Sequence, residues 1–589
     1  MAGLIFLNTI IEPVSATTIQ INNSSTFDTS IISLNQQLQN IINNASNGDT
    51  LEFLGNYYDN ISLIISKPLN IISHVKTLIN GSANSTVGDN YVFLINGTGS
   101  SGTNITGFNL QSSNGEGIVL QNTSKVTISQ NNLNVINGTG ILVNGSSNNN
   151  VLNNSICNSK TGISIKNSKN TALTSNTIKN NVNNGLEIEN SQNTTINRNN
   201  ISSNGNDAIS LENTKDTSIN DNVLEKNGNN AITLENTSKT TINKNNITKN
   251  QGHGIYFGKD VNDTKITYNN INNNKRYGVA LAKSGANTLI SHNNITGNII
   301  GINVNDSTDN LVISQNIITN SIINGYEDHS GVGINFGSNY MYSSTFKVNN
   351  NAIYGSQRRD VEIHDTEETV IFGANWYGSS TQSGCNFCPK LQTSLITVRL
   401  VQSTNGSYNA VFYDGDKIAN LIPGIKVYYK MKDGSIQEAY MENGISSVPN
   451  DAISYIITYD RGNVPKSDSS KHPDNGNNGE NSGNGKTGTG NGTGSGDGGN
   501  NGDGFGNGAQ GSISSSMGTI SATASAASSD SSSSAGSSSD TNKPKTATEI
   551  FLNDASKNPQ IWSIIGIVLL IFLILIAYYW KDIRNMMKK

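Results

Sequence analysis

One stretch limits what this chain can fold into more than any other. Residues 185–257 read GLEIENSQNTTINRNNISSNGNDAISLENTKDTSINDNVLEKNGNNAITLENTSKTTINKNNITKNQGHGIYF, a unit of the form G-I-x-L-x-N-x-x-x-T-x-I-x-x-N-x-I-x-x-N that returns about every 23 residues. A fixed period of this size marks a stacked repeat and outranks any local reading. The register extends outward. The G-I-x-L corner begins at Gly117, Gly140, Gly162, Gly185, Ala208, Ala231, Gly254, Gly278 and Gly301. The Asn of the N-x-I corner recurs at Asn131, Asn154, Asn176, Asn199, Asn222, Asn245, Asn269, Asn293 and Asn316.

Each unit holds three short apolar bursts, such as Ile232/Leu234, Thr240/Ile242 and Ile247, separated by Asn, Gly and Ser. They are β-branched and alternate at period two, and no part of the unit has helical spacing over ten residues. This predicts an all-β fold, a parallel β-helix with three strands per turn, right-handed as parallel crossovers are. One rung cannot bury its own apolar face. Stacking does so, lining up Ile118, Ile141, Ile163, Leu186, Ile209 and Ile232. The Asn column fits a tight left-handed corner and an amide ladder from rung to rung. A leucine-rich repeat shares the I-x-x-N-x-I fragment Ile242–Ile247, but leucine is scarce here.

At 589 residues the chain exceeds one ordinary core, and its net charge of −5 gives no electrostatic case for nucleic acid. Three cysteines rule out a disulfide scaffold. Ile561–Trp580 is an uncharged apolar run of about the ~20 residues that span a bilayer. Lys581, Arg584, Lys588 and Lys589 follow, which predicts a single-pass membrane protein with a cytoplasmic tail at 581–589 and the bulk outside. Met1–Ala16 has the apolar core and Val-Ser-Ala ending of a signal peptide but no basic start, as if a leader began further upstream.

Along the chain, 17–46 is a lead-in with a helix at 33–46, capped by Ser33 and striped by Leu34, Leu38, Ile41 and Ala45. It is expected to cover the open sheet edge of the solenoid, assigned to 47–378. Residues 391–462 carry alternating strands and turn signals, a small Ig-like β-sandwich. Residues 463–548 are Gly/Asn- and then Ser/Thr/Ala-rich, a disordered stalk averaging ~50 Å end to end.

The segments NGDTLEF, GNYYDN and SKPLNIIS, then ITGFNL and the Asn-cornered rungs, resemble the NosD-type right-handed parallel β-helix family over about residues 33–378. GANWYG at 373–378 resembles the Asn-Trp-Trp-Gly closure of adhesin-like surface proteins of methanogenic archaea, with Tyr377 in place of the second Trp. The resemblance implies a cell-surface, non-enzymatic role in binding glycans or other cells. A polysaccharide-active enzyme and a structural envelope component are the alternatives.

For the enzyme, Gly252-His253-Gly254 matches the short catalytic signature of polygalacturonases. That family pairs aspartates one turn before the histidine and follows it with Arg-x-Lys. Here Asp207 stands alone two turns away, no Arg-x-Lys follows, and His253 reads as an exposed turn residue. Glu187, Glu189, Glu212 and Glu235 gather on one outward face. At ~4.8 Å per rung, stacked carboxylates repel and suit Ca²⁺ or a sugar. Solvated surface glutamates are the plainer reading, and no cofactor is otherwise implied. Arg198, Asp221 and Lys244 form an alternating-charge column. Between Asn316 and Asn351 the spacing stretches to 35 residues, and the insertion exposes Tyr326, Glu327, Asp328 and His329 as candidate binding residues. Cys385 and Cys388 form a lone CxxC, read as a local disulfide. Sequons at Asn60, Asn84, Asn236 and Asn246 permit glycosylation.

Overall fold

The computed structural model describes residues 16–457, apart from 82–90, 283–284, 306–308, 325–328, 338–345, 365–370, 379–394, 403, 405–407 and 448–451. Nearly all of the leader, Tyr326, Glu327, Asp328, Cys385, Cys388, the stalk, the 561–580 run and the tail lie outside the described residues. Among the described residues no helix is long and apolar enough to cross a membrane.

Three parallel sheets, one of fifteen strands and two of thirteen, wind around one core. Within these sheets every strand but the first and last pairs with the strand one turn before it and one turn after it. Ile118, Ile141, Ile163, Leu186, Ile209 and Ile232 are Cα partners in succession, and all are fully buried. Each such aliphatic contributes ~1.5–3 kcal/mol. Because side chains alternate faces, a one-residue slip would turn the whole column outward, so the apolar period itself fixes register. The first strand of the large sheet is Thr18–Ile21, paired with Thr50–Phe53, so pairing begins upstream of residue 47. At Gly254 a Cβ would stand 2.5 Å from Gly278 O and 2.6 Å from Ile271 Cγ2, a close approach that favours glycine.

A second set of bonds runs along the same axis. From Asn131 to Asn375, eleven buried asparagines form a ladder of ten bonds, each but the last donating Nδ2–H to the Oδ1 of the next at 2.9–3.1 Å. The same Oδ1 atoms accept the backbone N–H one rung below at 2.8–3.0 Å. The ladder crosses the 35-residue insertion, from Asn316 to Asn351, without a break. Its members are not the left-handed residues. That conformation falls on the residue before each of them, at Gln130, Asn153, Ser175, Arg198, Asp221, Lys244, Tyr268, His292, Gln315 and Asn350, with φ of 55–58°. Arg, Lys, Tyr and His are poor choices for that region, so the ladder overrides local preference there. The Arg198–Asp221–Lys244 column is this corner. A parallel ladder, absent from the sequence reading, joins Asn181, Asn204, Asn227, Asn250, Asn274 and Asn298 at 2.8–3.1 Å.

Near the N-terminus a helix spans Leu34–Asn44, and the Ser33 side chain accepts from Gln36 N–H. Leu38, Ile42 and Ala45 are buried, while Leu34 and Ile41 are only partly so. The inward stripe therefore runs through Ile42 rather than Ile41. Gln39 bonds both backbone groups of Ile64, accepting its N–H at 2.8 Å and donating to its carbonyl at 2.9 Å. Ile64 sits on Leu63–Ile65, the first strand of a thirteen-stranded sheet. One glutamine thus satisfies edge groups that would otherwise template another strand. At the other end Trp376 is buried against Phe412, with centroids 5.3 Å apart. Phe412 belongs to Tyr408–Asp414, in one of two small antiparallel sheets within residues 396–457.

Asn222→Ala tests the ladder. It orphans Asn199 N–H, whose acceptor is Asn222 Oδ1 at 2.8 Å, at about 1–3 kcal/mol for the buried group, and takes one donor from Ile196 O, now at 2.9 Å. Hydrogen exchange should show the Asn199 amide losing protection while rungs several turns away keep theirs. Unchanged protection at Asn199 would show that the ladder does not hold the corner.

Candidate functional site

The outward face of the glycine-cornered sheet carries the residues singled out from sequence. Lys166, Glu189, Glu212 and Glu235 are in register on successive strands, with Glu187 one column over. Lys166 Nζ lies 3.1 Å from Glu189 and 3.7 Å from Glu187, and Glu235 Oε2 accepts the Lys259 N–H at 3.1 Å. Glu187, Glu189 and Glu235 thus use protein partners, Glu212 is exposed, and surface pairs of this kind contribute little. Among the described residues the side chains that converge at metal-ligand distances are three others: His329, Glu362 and His364.

Further along the same sheet, two outward columns form a cleft. Tyr256, Ala280, Asn303, Asn335 and Glu362 are Cα partners in order. Beside them run Asp207, Asn230, His253 and Tyr277, each just before a corner residue. The cleft holds about 170 Å³ and is lined by His253, Tyr256, Tyr277, Asn303, Asn335 and His329, among others. The His253 ring stacks on Tyr256 at 5.4 Å and meets Tyr277 at 4.7 Å. His253 is therefore buried, 7% exposed, and not an exposed turn residue. The tyrosines of its own and the next rung cover it, which a single rung's sequence does not reveal.

A staircase of backbone bonds orients this column. Asn184 Oδ1 accepts from Asp207 N–H at 3.1 Å, Asp207 Oδ1 from Asn230 at 2.9 Å, and Asn230 Oδ1 from His253 at 2.8 Å. His253 Nδ1 in turn accepts from Tyr277 N–H at 3.2 Å. With Nδ1 accepting, the neutral ring carries its proton on Nε2 and can only donate there. Burial, aided by the nearby Arg276 charge, lowers the His253 pKa to about 4, so the ring is neutral at ordinary pH. Asp207 also accepts from Thr233 Oγ1 at 2.7 Å. Burial raises its pKa, against the pull of those bonds. It stands two rungs, roughly 10 Å, from His253, and serves the staircase.

The far end of the cleft was not legible in the sequence. Glu362 is 3% exposed, and its Oε1 lies 3.2 Å from both Arg358 and Arg359. Its Oε2 lies 3.5 Å from His329 Nδ1 and 3.8 Å from His364 Nε2, without a hydrogen bond to either. Burial and the neighbouring His329 lower the His364 pKa, while Glu362 pulls it upward. Asn335 Oδ1 lies 3.0 Å from His364 Nε2, and Asn335 Nδ2 donates to Asn303 Oδ1 at 2.7 Å. The available signal was the period-two spacing of Glu362 and His364 within VEIH. Of the four insertion-loop candidates, His329 joins this group.

The His253 shift sets a pH dependence. An imidazole whose folded pKa lies below its unfolded value of ~6.5 stabilises the fold fully above that value and progressively less as pH falls toward 4. The change amounts to at most roughly 3 kcal/mol. NMR titration should find His253 neutral down to about pH 4. His253→Gln should flatten the local loss of amide protection between pH 6.5 and 4; an unaltered profile would assign the loss elsewhere.

Residues 92–242 and 199–318 match the family model described as "Right handed beta helix region". No curated protein matches the sequence significantly. Among solved structures, the A-module of the Azotobacter vinelandii mannuronan C-5 epimerase AlgE4 is similar at 14% identity and a TM-score of 0.42, over 59% of this chain and 98% of that one. The periplasmic alginate epimerase AlgG is similar at 16% identity and 0.36, over 42% and 70%. Tailspike protein 3 of bacteriophage CBA120 is similar at 11% and 0.41, over 66% and 67%. The family match and the three parallel sheets together make the repeat region a right-handed parallel β-helix.

Proposed function

We propose that this chain is a surface-displayed, glycan-binding β-helix whose cleft takes a saccharide bearing carboxylates. The observation that carries the reading is the cleft itself: Tyr256, Tyr277 and His253 present rings, Asn303 and Asn335 present amides, and cationic side chains stand beside them. Rings give sugar C–H faces an apolar platform, and amides and the His253 Nε2–H bond hydroxyls or carboxylates. Arg276 is close enough to bias His253, and Arg358 and Arg359 flank the other end through Glu362. Display at a membrane, with the β-helix outside, is supported by the apolar run Ile561–Trp580 and the basic residues after it. The adhesin-like resemblance belongs to the same reading.

An enzyme of the hydrolase type is less well supported. Paired carboxylates are the usual machinery for glycoside hydrolysis, and the two acids of the cleft's columns are not such a pair: Asp207 is bound to Asn230 N–H and Thr233, and Glu362 to Arg358 and Arg359. His253 with a protonated Nε2 donates a hydrogen bond and does not accept a proton there.

Calorimetry of the full chain against oligouronates and against neutral oligosaccharides of the same length tests the proposal. Binding is expected for the oligouronates, weakening with salt. Tyr256→Ala and Arg276→Ala should each reduce affinity by about tenfold, ~1.4 kcal/mol. Equal affinity for neutral chains, or no binding to either, would overturn it. Shortened or unsaturated products after incubation would favour the enzymatic reading instead.

A further inference from the structure

We propose that His329 Nδ1, Glu362 Oε2 and His364 Nε2 form a site for a divalent transition-metal ion of the zinc class, in the wall of the cleft. One ligand atom from each of the three residues lies within 4.8 Å of the others, and Glu362 Oε2 stands 3.5 Å from His329 Nδ1 and 3.8 Å from His364 Nε2. They come from two segments far apart in sequence: the end of the insertion, and the strand Arg359–Ile363 with the residue after it. His329 also lines the cleft.

The argument rests on what Glu362 leaves unused. Arg358 and Arg359 together occupy Oε1, each at 3.2 Å. Oε2 is buried and has no hydrogen-bond partner, and His329 Nδ1 has none either. Oε2 stands 3.5 Å from His329 Nδ1, within ion-pair distance but with no hydrogen bond between them. A buried carboxylate oxygen left without a donor is costly, and a cation held between the two atoms would satisfy it. Around a tetrahedral ion with bonds of ~2.0–2.1 Å, ligand atoms lie roughly 3.3–3.5 Å apart. The separations of 3.5 and 3.8 Å need only a small contraction.

Two imidazoles and one carboxylate select the metal. Ca²⁺ prefers six to eight oxygens, whereas nitrogen-rich sets suit zinc and its first-row neighbours. One protein contact has to give way to the ion: Asn335 Oδ1 stands 3.0 Å from His364 Nε2, its amide oriented by the bond to Asn303 Oδ1. In the metal-free state His364 Nε2–H donates to that oxygen. On binding, the proton moves to Nδ1, a change of tautomer with no net proton released, and Nε2 turns to the ion. The two guanidinium groups oppose a further positive charge, but both engage the opposite carboxylate oxygen. The ion would tie the insertion to the following rung and fix one wall of the cleft. This inference stands independently of the saccharide reading.

Titration of the full chain with Zn²⁺ alone and with Ca²⁺ alone, after chelator treatment, tests it. The Cys385→Ser/Cys388→Ser variant is used as parent so that thiolates cannot supply a rival site. One Zn²⁺ per chain is expected, with no comparable Ca²⁺ binding. His329 is 39% exposed at its side chain, so His329→Ala should fold normally. It should weaken Zn²⁺ by at least about 100-fold, beyond the 10–100-fold typical of losing an outer-shell partner. Glu362→Gln should act alike; where circular dichroism shows that variant misfolded, His329→Ala decides. Co²⁺ loading should give ligand-field bands that His329→Ala abolishes. Absence of stoichiometric Zn²⁺ binding, or equal binding by His329→Ala, or equal Ca²⁺ affinity, would overturn the proposal. The titration contains no saccharide, so its failure leaves the glycan reading untouched.

Discussion

The structure depends on one recurring bond, an asparagine amide donating to the amide of the next rung. It works because the same Oδ1 also accepts a backbone N–H, so each rung's corner is held by a side chain that belongs to its neighbour. A ladder of this kind is cooperative: removing one member leaves groups orphaned on two rungs. It also explains the composition. A chain whose interior is lined by amides must spend asparagine at fixed places, and the outward positions are then free to carry charge, rings or nothing of consequence.

That freedom is what makes the cleft possible. The outward column of the glycine-cornered sheet runs from Ile64, Leu94, Val119 and Leu142 through Ser164, Glu187, Ser210 and Thr233 to Tyr256, Ala280, Asn303, Asn335 and Glu362. The backbone is the same at every step; only the side chains change. The polar end is also where the regular spacing fails, between Asn303 and Asn335, and where the insertion brings His329 down onto Glu362. Irregularity and chemistry coincide, as expected where local consistency gives way to function.

Two residues show how far reading by pattern reaches. Asn222 was found because N-x-I recurs at a fixed interval, and a period is a long-range signal carried in plain sequence. Asn227, the last Asn of the same repeating unit, recurs at the same interval, but its surroundings of Asn and Gly read equally well as a loop, so its place in a second ladder went unread. Glu189, Glu212 and Glu235 stood out as a charged column, yet Glu189 is served by Lys166 and Glu235 by a backbone donor. Glu362 drew no notice, being one acid beside two arginines in an irregular rung.

By itself, then, the sequence determined the parallel three-strand winding, its register and its inward columns, because burial and periodic pairing act identically on every rung. Tertiary structure alone decided that His253 is covered by Tyr256 and Tyr277, that its Nδ1 is taken by a backbone donor, and that Glu362 meets two histidines with one oxygen unused. Those facts depend on distances between rungs of unequal length. A period cannot encode them, since each occurs once.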